Sequence, residues 1–383
     1  MARALYIHWP FCLAKCPYCD FNSHVREQVD HAAWEAALLA DMRHEAAFAG
    51  GERLESVFFG GGTPSLMPPA LVARLLDEAE RLWGFADGIE ITLEGNPSSV
   101  EAENYRALAS AGINRVSLGI QALDDATLRF LGRLHGTQEA LKALETAHQW
   151  YQRVTFDLIY ARPGQSADAW RRELEQALSF GTGHLSLYQL TIEPGTRFAS
   201  MVRQGDFDPL DDDAAADLFA LTRELTNAAG LPAYEVSNHA RPGEESRHNL
   251  TYWRYLDYAG IGPGAHGRRG GLATVRHRKP ENWLAAVADK GNGIAEERPL
   301  GTREQASEAM LMGLRLAEGV DLGALSHRFG LTAEQLCDSA KLGFYAKQGL
   351  TWQAGSRIGV TEAGMPLLDA LLGELVPAEL VEA

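Results

Sequence analysis

The sequence predicts an α/β protein, a partial (β/α)6 barrel followed by a smaller, mainly helical C-terminal domain. Three observations carry this. Six short apolar runs alternate with amphipathic stretches through the first half. Four of those runs close on polar or glycine-rich motifs, the edge where parallel α/β folds bind ligands. Beyond Pro194 the alternation fades, and helical periodicity takes over from Gln305. A chain of 383 residues also exceeds one domain of usual size.

The expected strands are residues 4–8, 56–59, 90–94, 115–119, 154–159 and 184–190, and the helices between them 32–46, 70–82, 102–109, 138–150 and 167–178. Strands in series with helices between them form a parallel sheet, because each strand needs a crossover to return. A closed eight-stranded barrel needs two further units, which the sequence does not display. Residues 211–229 read as a helix opened by acidic residues. Residues 234–271, rich in Gly, His and aromatics, read as irregular. Residues 349–364 read as a hairpin before a helix at 365–375, a winged-helix-like ending. The expected domains are 1–235 (core), 236–300 (connecting segment) and 301–383.

Composition is that of a folded soluble protein, 46% hydrophobic and 22% charged. No apolar run reaches the ~18 residues of a membrane span. The opening MARALYIHWPF lacks a signal peptide's apolar core and cleavage site, so a cytoplasmic protein is expected. A net charge of −16 disfavours nucleic acid as a partner. One stretch breaks that trend: between Arg241 and Pro280 lie eight Arg or Lys against three Asp or Glu, read either as a solvated loop or as a site for an anionic ligand.

Three of the four cysteines, Cys12, Cys16 and Cys19, fall within eight residues. Reduced thiols so crowded suit metal ligation better than disulfide pairing. Cys337 lies far off in a helix-like stretch and reads as a small buried apolar residue. An iron–sulfur cube takes four cysteines as a rule, so three leave one iron open to a small molecule's amine and carboxylate. The alternative is a zinc site completed by His8 or His24.

Cys-x3-Cys-x2-Cys after a first strand resembles the signature of the radical-SAM superfamily. The flanking residues, Tyr6 through Phe11 before Cys12, Asp20-Phe21 after Cys19, and Gly60-Gly61-Gly62-Thr63-Pro64-Ser65, resemble the oxygen-independent coproporphyrinogen oxidase group. So do Arg115–Gln121, Leu131-Gly132-Arg133-Leu134-His135, 157–165 and 184–196. The resemblance covers nearly the whole chain. It implies a radical-SAM barrel with a [4Fe–4S] cluster on Cys12, Cys16 and Cys19 and S-adenosylmethionine on the open iron. Gly61, Gly62 and Thr63 are then expected against the methionine moiety, meeting its polar end through their amides. Tyr6 and Tyr18 match positions lining cluster and cofactor, and Glu94, Gln121, Arg133 and Asp157 match polar contacts to the cofactor. Carboxylates suit an ammonium or ribose hydroxyls, and an arginine suits a carboxylate.

The group contains oxidases and a haem-chaperone branch. By resemblance the oxidases carry a further cysteine where this chain has Phe21, and an N-terminal extension for which Cys12 leaves no room. The chaperone branch carries HNxxYW, here His248-Asn249-Leu250-Thr251-Tyr252-Trp253. An imidazole ligates iron, Tyr252 and Trp253 offer flat faces, and Arg247 and Arg254 suit propionates. His248 is therefore the expected haem ligand, with His239, His266 and His277 as rivals. The alternative is that His248 only bonds within a core loop. The resemblance implies a haem chaperone that delivers haem to acceptors such as respiratory or membrane-bound proteins. A radical oxidoreductase acting on coproporphyrinogen III or a related substrate, and a plain iron–sulfur or zinc protein, are the alternatives. One departure stands out: Ala161-Arg162-Pro163 replaces the group's usual Gly-Leu-Pro.

Overall fold

A computed structural model describes residues 2–26, 28–49 and 51–381; the expected outer domain limits, 1 and 383, lie outside them. Six parallel strands stand side by side in chain order: β1 (Ala4–Trp9), β2 (Leu54–Gly61), β3 (Phe85–Gly95), β4 (Arg115–Gln121), β5 (Arg153–Tyr160) and β6 (His184–Gln189). The crossovers are α1 (His31–Ala49), α2 (Pro69–Trp83), α3 (Ser99–Ser110), α4 (Thr137–Trp150) and α5 (Ala167–Ser179). Local chemistry fixes their starts: Ser98 and Ser166 accept from the backbone amides of Glu101 and Ala169, and α2 opens on a proline. These are the expected strands and helices, with β3 beginning five residues earlier.

The two faces of the sheet differ in kind. Leu5, Ile7, Val57, Phe59, Leu93 and Val116 pack into the main core with the helices. The alternating positions Ser56, Thr92, Glu94, Ser117 and Asp157 take the opposite face. A parallel sheet covered on both sides is ordinarily apolar on both. The polar inner face therefore marks an enclosed site rather than packing.

The segment expected to be irregular is part of this sheet. It supplies β7 (Asn238–Ala240), antiparallel to β6, and β8 (Tyr258–Ile261), parallel to β1 on its far side. Then β9 (His266–Arg269), β10 (Leu272–Arg276) and β11 (Ile294–Pro299) continue antiparallel, making eleven strands among the described residues. Between β7 and β8 lies α7 (Arg247–Trp253), capped by Ser246. Its strands escape a hydrophobic pattern because what they bury is charged. Arg276, fully buried, donates to Asp41 at 2.8 Å and to Glu45 at 2.8 Å on α1, and Arg269 donates to Glu45 at 2.8 Å.

The remaining chain forms its own core of Met310, Leu314, Cys337, Ile358, Leu368 and Leu375. Helices 302–313, 322–329, 339–347 and 368–375 surround a three-stranded antiparallel sheet in which 351–354 and 357–360 form the expected hairpin. Cys337 is buried there, and burial pushes its thiol up to about 11. Among the described residues no helix is long and apolar enough to cross a membrane.

Candidate functional site

The loop after β1 carries Cys12, Cys16 and Cys19 to the C-terminal edge of the strands, where all three thiols line one cavity. Arg133 Nη1 donates to Cys16 Sγ at 3.3 Å, Thr63 Oγ1 to Cys12 Sγ at 3.4 Å, and Ser23 Oγ lies 3.8 Å from Cys19 Sγ. Gly132 explains how Arg133 comes so close. It has φ +67°, and a Cβ there would stand 2.5 Å from Pro17 of the cysteine loop. The histidines of the zinc alternative are engaged elsewhere. His8 bonds Tyr6 Oη at 3.0 Å and the Asn22 carbonyl at 2.9 Å, and His24 faces Asn22 Oδ1 at 3.3 Å. Among the described residues no three His, Cys, Asp or Glu are arranged around a single metal ion.

Gly61, Gly62, Thr63, Glu94, Gln121, Arg133, Asp157 and Tyr18 share that cavity with the thiols. Tyr6 does not; it lines the neighbouring cavity, and its hydroxyl bonds His8, which in turn bonds Asn22 of the loop. The glycine loop also differs from expectation. Its amides are already spent: Gly61 N–H donates to Glu94 at 3.2 Å, Gly62 N–H to the Trp9 carbonyl at 2.7 Å and Thr63 N–H to the Phe11 carbonyl at 2.8 Å. Gly61 is required by the protein itself, since at φ +115° its Cβ would fall 2.6 Å from the His8 ring.

The electrostatics describe a zwitterion's complement. Burial and then the nearby Asp157 charge push the Glu94 carboxyl up to about 8. Burial likewise pushes Asp157 up to about 6, against the hydrogen bond from Ser186 and the charge of Arg115. Two buried carboxyls that resist ionisation call for a cation. Beside them Arg133 donates to Tyr18 at 3.5 Å, to the Gly119 carbonyl at 2.9 Å and to Asn96, while its buried Nε has no partner. An orphaned guanidinium nitrogen suits a ligand carboxylate. Three thiolates, an anion-seeking arginine and cation-seeking carboxyls thus fit a cluster and an amino-acid-bearing sulfonium. The sequence reading placed Asn96 and Ser117 in strand-end motifs but assigned neither a contact. Asn96 holds Arg133 and donates to Thr63 at 3.2 Å, and Ser117 donates to Asp157 at 3.5 Å. Their signal was the polar alternation along β3 and β4.

His248 is enclosed. Its Nδ1 bonds Ser56 Oγ at 2.9 Å, its Nε2 bonds Tyr252 Oη at 2.7 Å, and burial pushes its pKa down to about 3. Arg247 donates to the Gly88 carbonyl at 2.7 Å and Arg254 pairs with Glu318 at 2.8 Å. The basic stretch is therefore mostly consumed inside the protein. Arg162, whose orientation the sequence leaves open, turns from the cysteine cavity into a buried pair with Glu173. Ala161 takes the left-handed φ of +55° that the usual glycine would take freely.

Fold and site together define a partial-barrel protein with three thiols at one edge beside a polar cavity, a donor set that fits an iron–sulfur cluster and its cofactor. Residues 6–177 match the family model of the radical SAM superfamily, and residues 301–367 that of the HemN C-terminal domain. The chain is 39% identical to mouse (Mus musculus) radical S-adenosyl methionine domain-containing protein 1, mitochondrial, over 98% of this chain and 87% of that protein. It is 37% identical to the haem chaperone HemW of Escherichia coli, over 98% of each, and 33% identical to that of Bacillus subtilis, over 97% and 100%. A solved structure of Escherichia coli coproporphyrinogen III oxidase (HemN) superposes with a TM-score of 0.81 at 22% identity, over 97% of this chain and 89% of that one, a likeness of fold. The chain belongs to the radical SAM superfamily, in the group that includes the HemW proteins, and membership implies a [4Fe–4S] cluster and S-adenosylmethionine.

Proposed function

We propose that this protein is a haem chaperone: it binds haem, keeps a [4Fe–4S] cluster on Cys12, Cys16 and Cys19 with S-adenosylmethionine beside it, and passes haem to acceptor proteins in the cytoplasm or at a membrane. The observation that carries the reading is the full-length similarity to proteins named haem chaperones, across both the barrel and the C-terminal domain. Phe21 supports it, standing 62% exposed at the mouth of the cavity where the oxidase-like pattern would place a cysteine. When bound, the cluster and cofactor supply an electron source beside an activated sulfonium. The chain's own part would be to orient that cofactor: Glu94 and Asp157 would hold its positive groups and Arg133 its carboxylate. Anaerobic reconstitution followed by haem titration and a coproporphyrinogen III assay tests the proposal. Haem binding at about one per chain, without conversion of the porphyrinogen, is expected. Sustained turnover, or no haem binding, overturns it.

A further inference from the structure

The cavity beside the cysteine pocket is the more open of the two. It has a volume of about 510 Å³, inside the ~300–1,000 Å³ range of cofactor-sized sites. The two cavities share Phe21, Gly61 and Glu94 as walls. Tyr252 and Tyr258, in edge contact at 4.5 Å, form an aromatic side, and Val275 adds an apolar one. His266 on β9 and Arg278 just beyond β10 line it, both exposed.

These two side chains differ from their neighbours in the basic stretch. Arg241, Arg247 and Arg268 donate to backbone carbonyls, and Arg254, Arg269 and Arg276 pair with carboxylates. The guanidinium of Arg278 has no hydrogen bond or ion pair among the described residues, and neither has the His266 ring. The backbone around them is nevertheless fixed. Asn22 of the cysteine loop donates to the carbonyls of Pro263 and Arg278, each at 2.9 Å. An unpartnered imidazole nitrogen is what ligates iron, and the exposed His266 ring offers one to the cavity. Of the other histidines the sequence singled out, His277 does not line this cavity. His248 has both nitrogens bonded. His239 is 1% exposed at the opposite side of the sheet.

We propose that haem binds in this cavity, with its iron ligated by His266 and a propionate paired with Arg278, next to the cofactor site rather than at His248. The inference rests on the haem-chaperone reading and assigns its site. Tyr252 of the HNxxYW stretch then contributes a wall, and His248 sets the tilt of that wall through its 2.7 Å hydrogen bond.

The test is a titration of the reconstituted full chain with ferric haem, followed in the Soret region. His266→Ala is expected to shift the Soret band and weaken binding about tenfold or more, at least the loss seen when only the outer partner of a metal ligand is removed. Added imidazole should restore the wild-type spectrum. Arg278→Ala should weaken binding several-fold at an unchanged Soret position. Both side chains are exposed, so folding and cluster content should hold in both variants and are checked by circular dichroism and iron analysis. An unchanged spectrum and affinity in His266→Ala, or a weakened one that imidazole does not restore, overturns this site while leaving the chaperone reading in place. Absence of haem binding by the wild type removes the reading itself.

Discussion

Replacing Glu94 with Gln removes a charge that the empty site resists and that the cofactor is expected to use. Burial and Asp157 hold this carboxyl at about 8 in the folded protein, against ~4.3 in an unfolded chain. Between those values the folded chain binds a proton that the unfolded chain has lost, so stability falls as pH rises. The slope for one group is ~1.4 kcal/mol per pH unit, or roughly 3.7 kcal/mol from pH 4.3 to 7. The side chain lines a cavity open to water, and screening there reduces the figure to about 2 kcal/mol. Glutamine has no such dependence and still accepts the Gly61 amide. Ligand-free wild type and Glu94→Gln should therefore be equally stable near pH 4, with the variant gaining by about 2 kcal/mol at pH 7 and levelling off above 8. Urea unfolding of matched preparations at pH 5, 6, 7 and 8 measures this. The same variant should bind S-adenosylmethionine more weakly, read as a smaller ligand-induced rise in Tm. A stability difference that is flat with pH, or a wild type that is the more stable at pH 8, would refute the reasoning.

Cys16→Ser should lose the brown cluster chromophore, whereas Cys337→Ser, in the C-terminal core, should retain it; iron and sulfide analysis of both decides. Arg276→Met leaves Asp41 and Glu45 buried without their main counter-charge and should cost about 3–5 kcal/mol in urea unfolding; a loss below about 1 kcal/mol would show the network to be dispensable. Ala161→Gly relieves a left-handed backbone costing ~1–2 kcal/mol, partly offset by glycine's greater unfolded freedom. A gain of about 0.5 kcal/mol is expected, and a measured loss would count against strain at this turn.

The strand–helix alternation and the three cysteines were legible because both are local. A parallel strand needs its crossover within a few tens of residues, and three ligands for one cluster sit within one loop. Glu94, Gln121, Arg133 and Asp157 were singled out through the family resemblance, and the fold brings all four to one cavity at the edge where the strands end. The strands between Asn238 and Pro299 were not legible, since Arg269 and Arg276 there are buried by carboxylates more than 200 positions away on α1. No local pattern records that pairing. The glycine loop's amides looked free for a ligand until β1 and the cysteine loop folded against them and took two of the three. His248 and His266 are the same residue type in the same basic stretch, 18 positions apart. One is enclosed between Ser56 of β2 and Tyr252, and the other stands in an open cavity. The sequence by itself determined the barrel, the cluster loop and the set of candidate ligands. Which histidine is open to a ligand was decided only by the packing of α7 against the sheet, because solvent exposure depends on contacts between segments far apart in the chain.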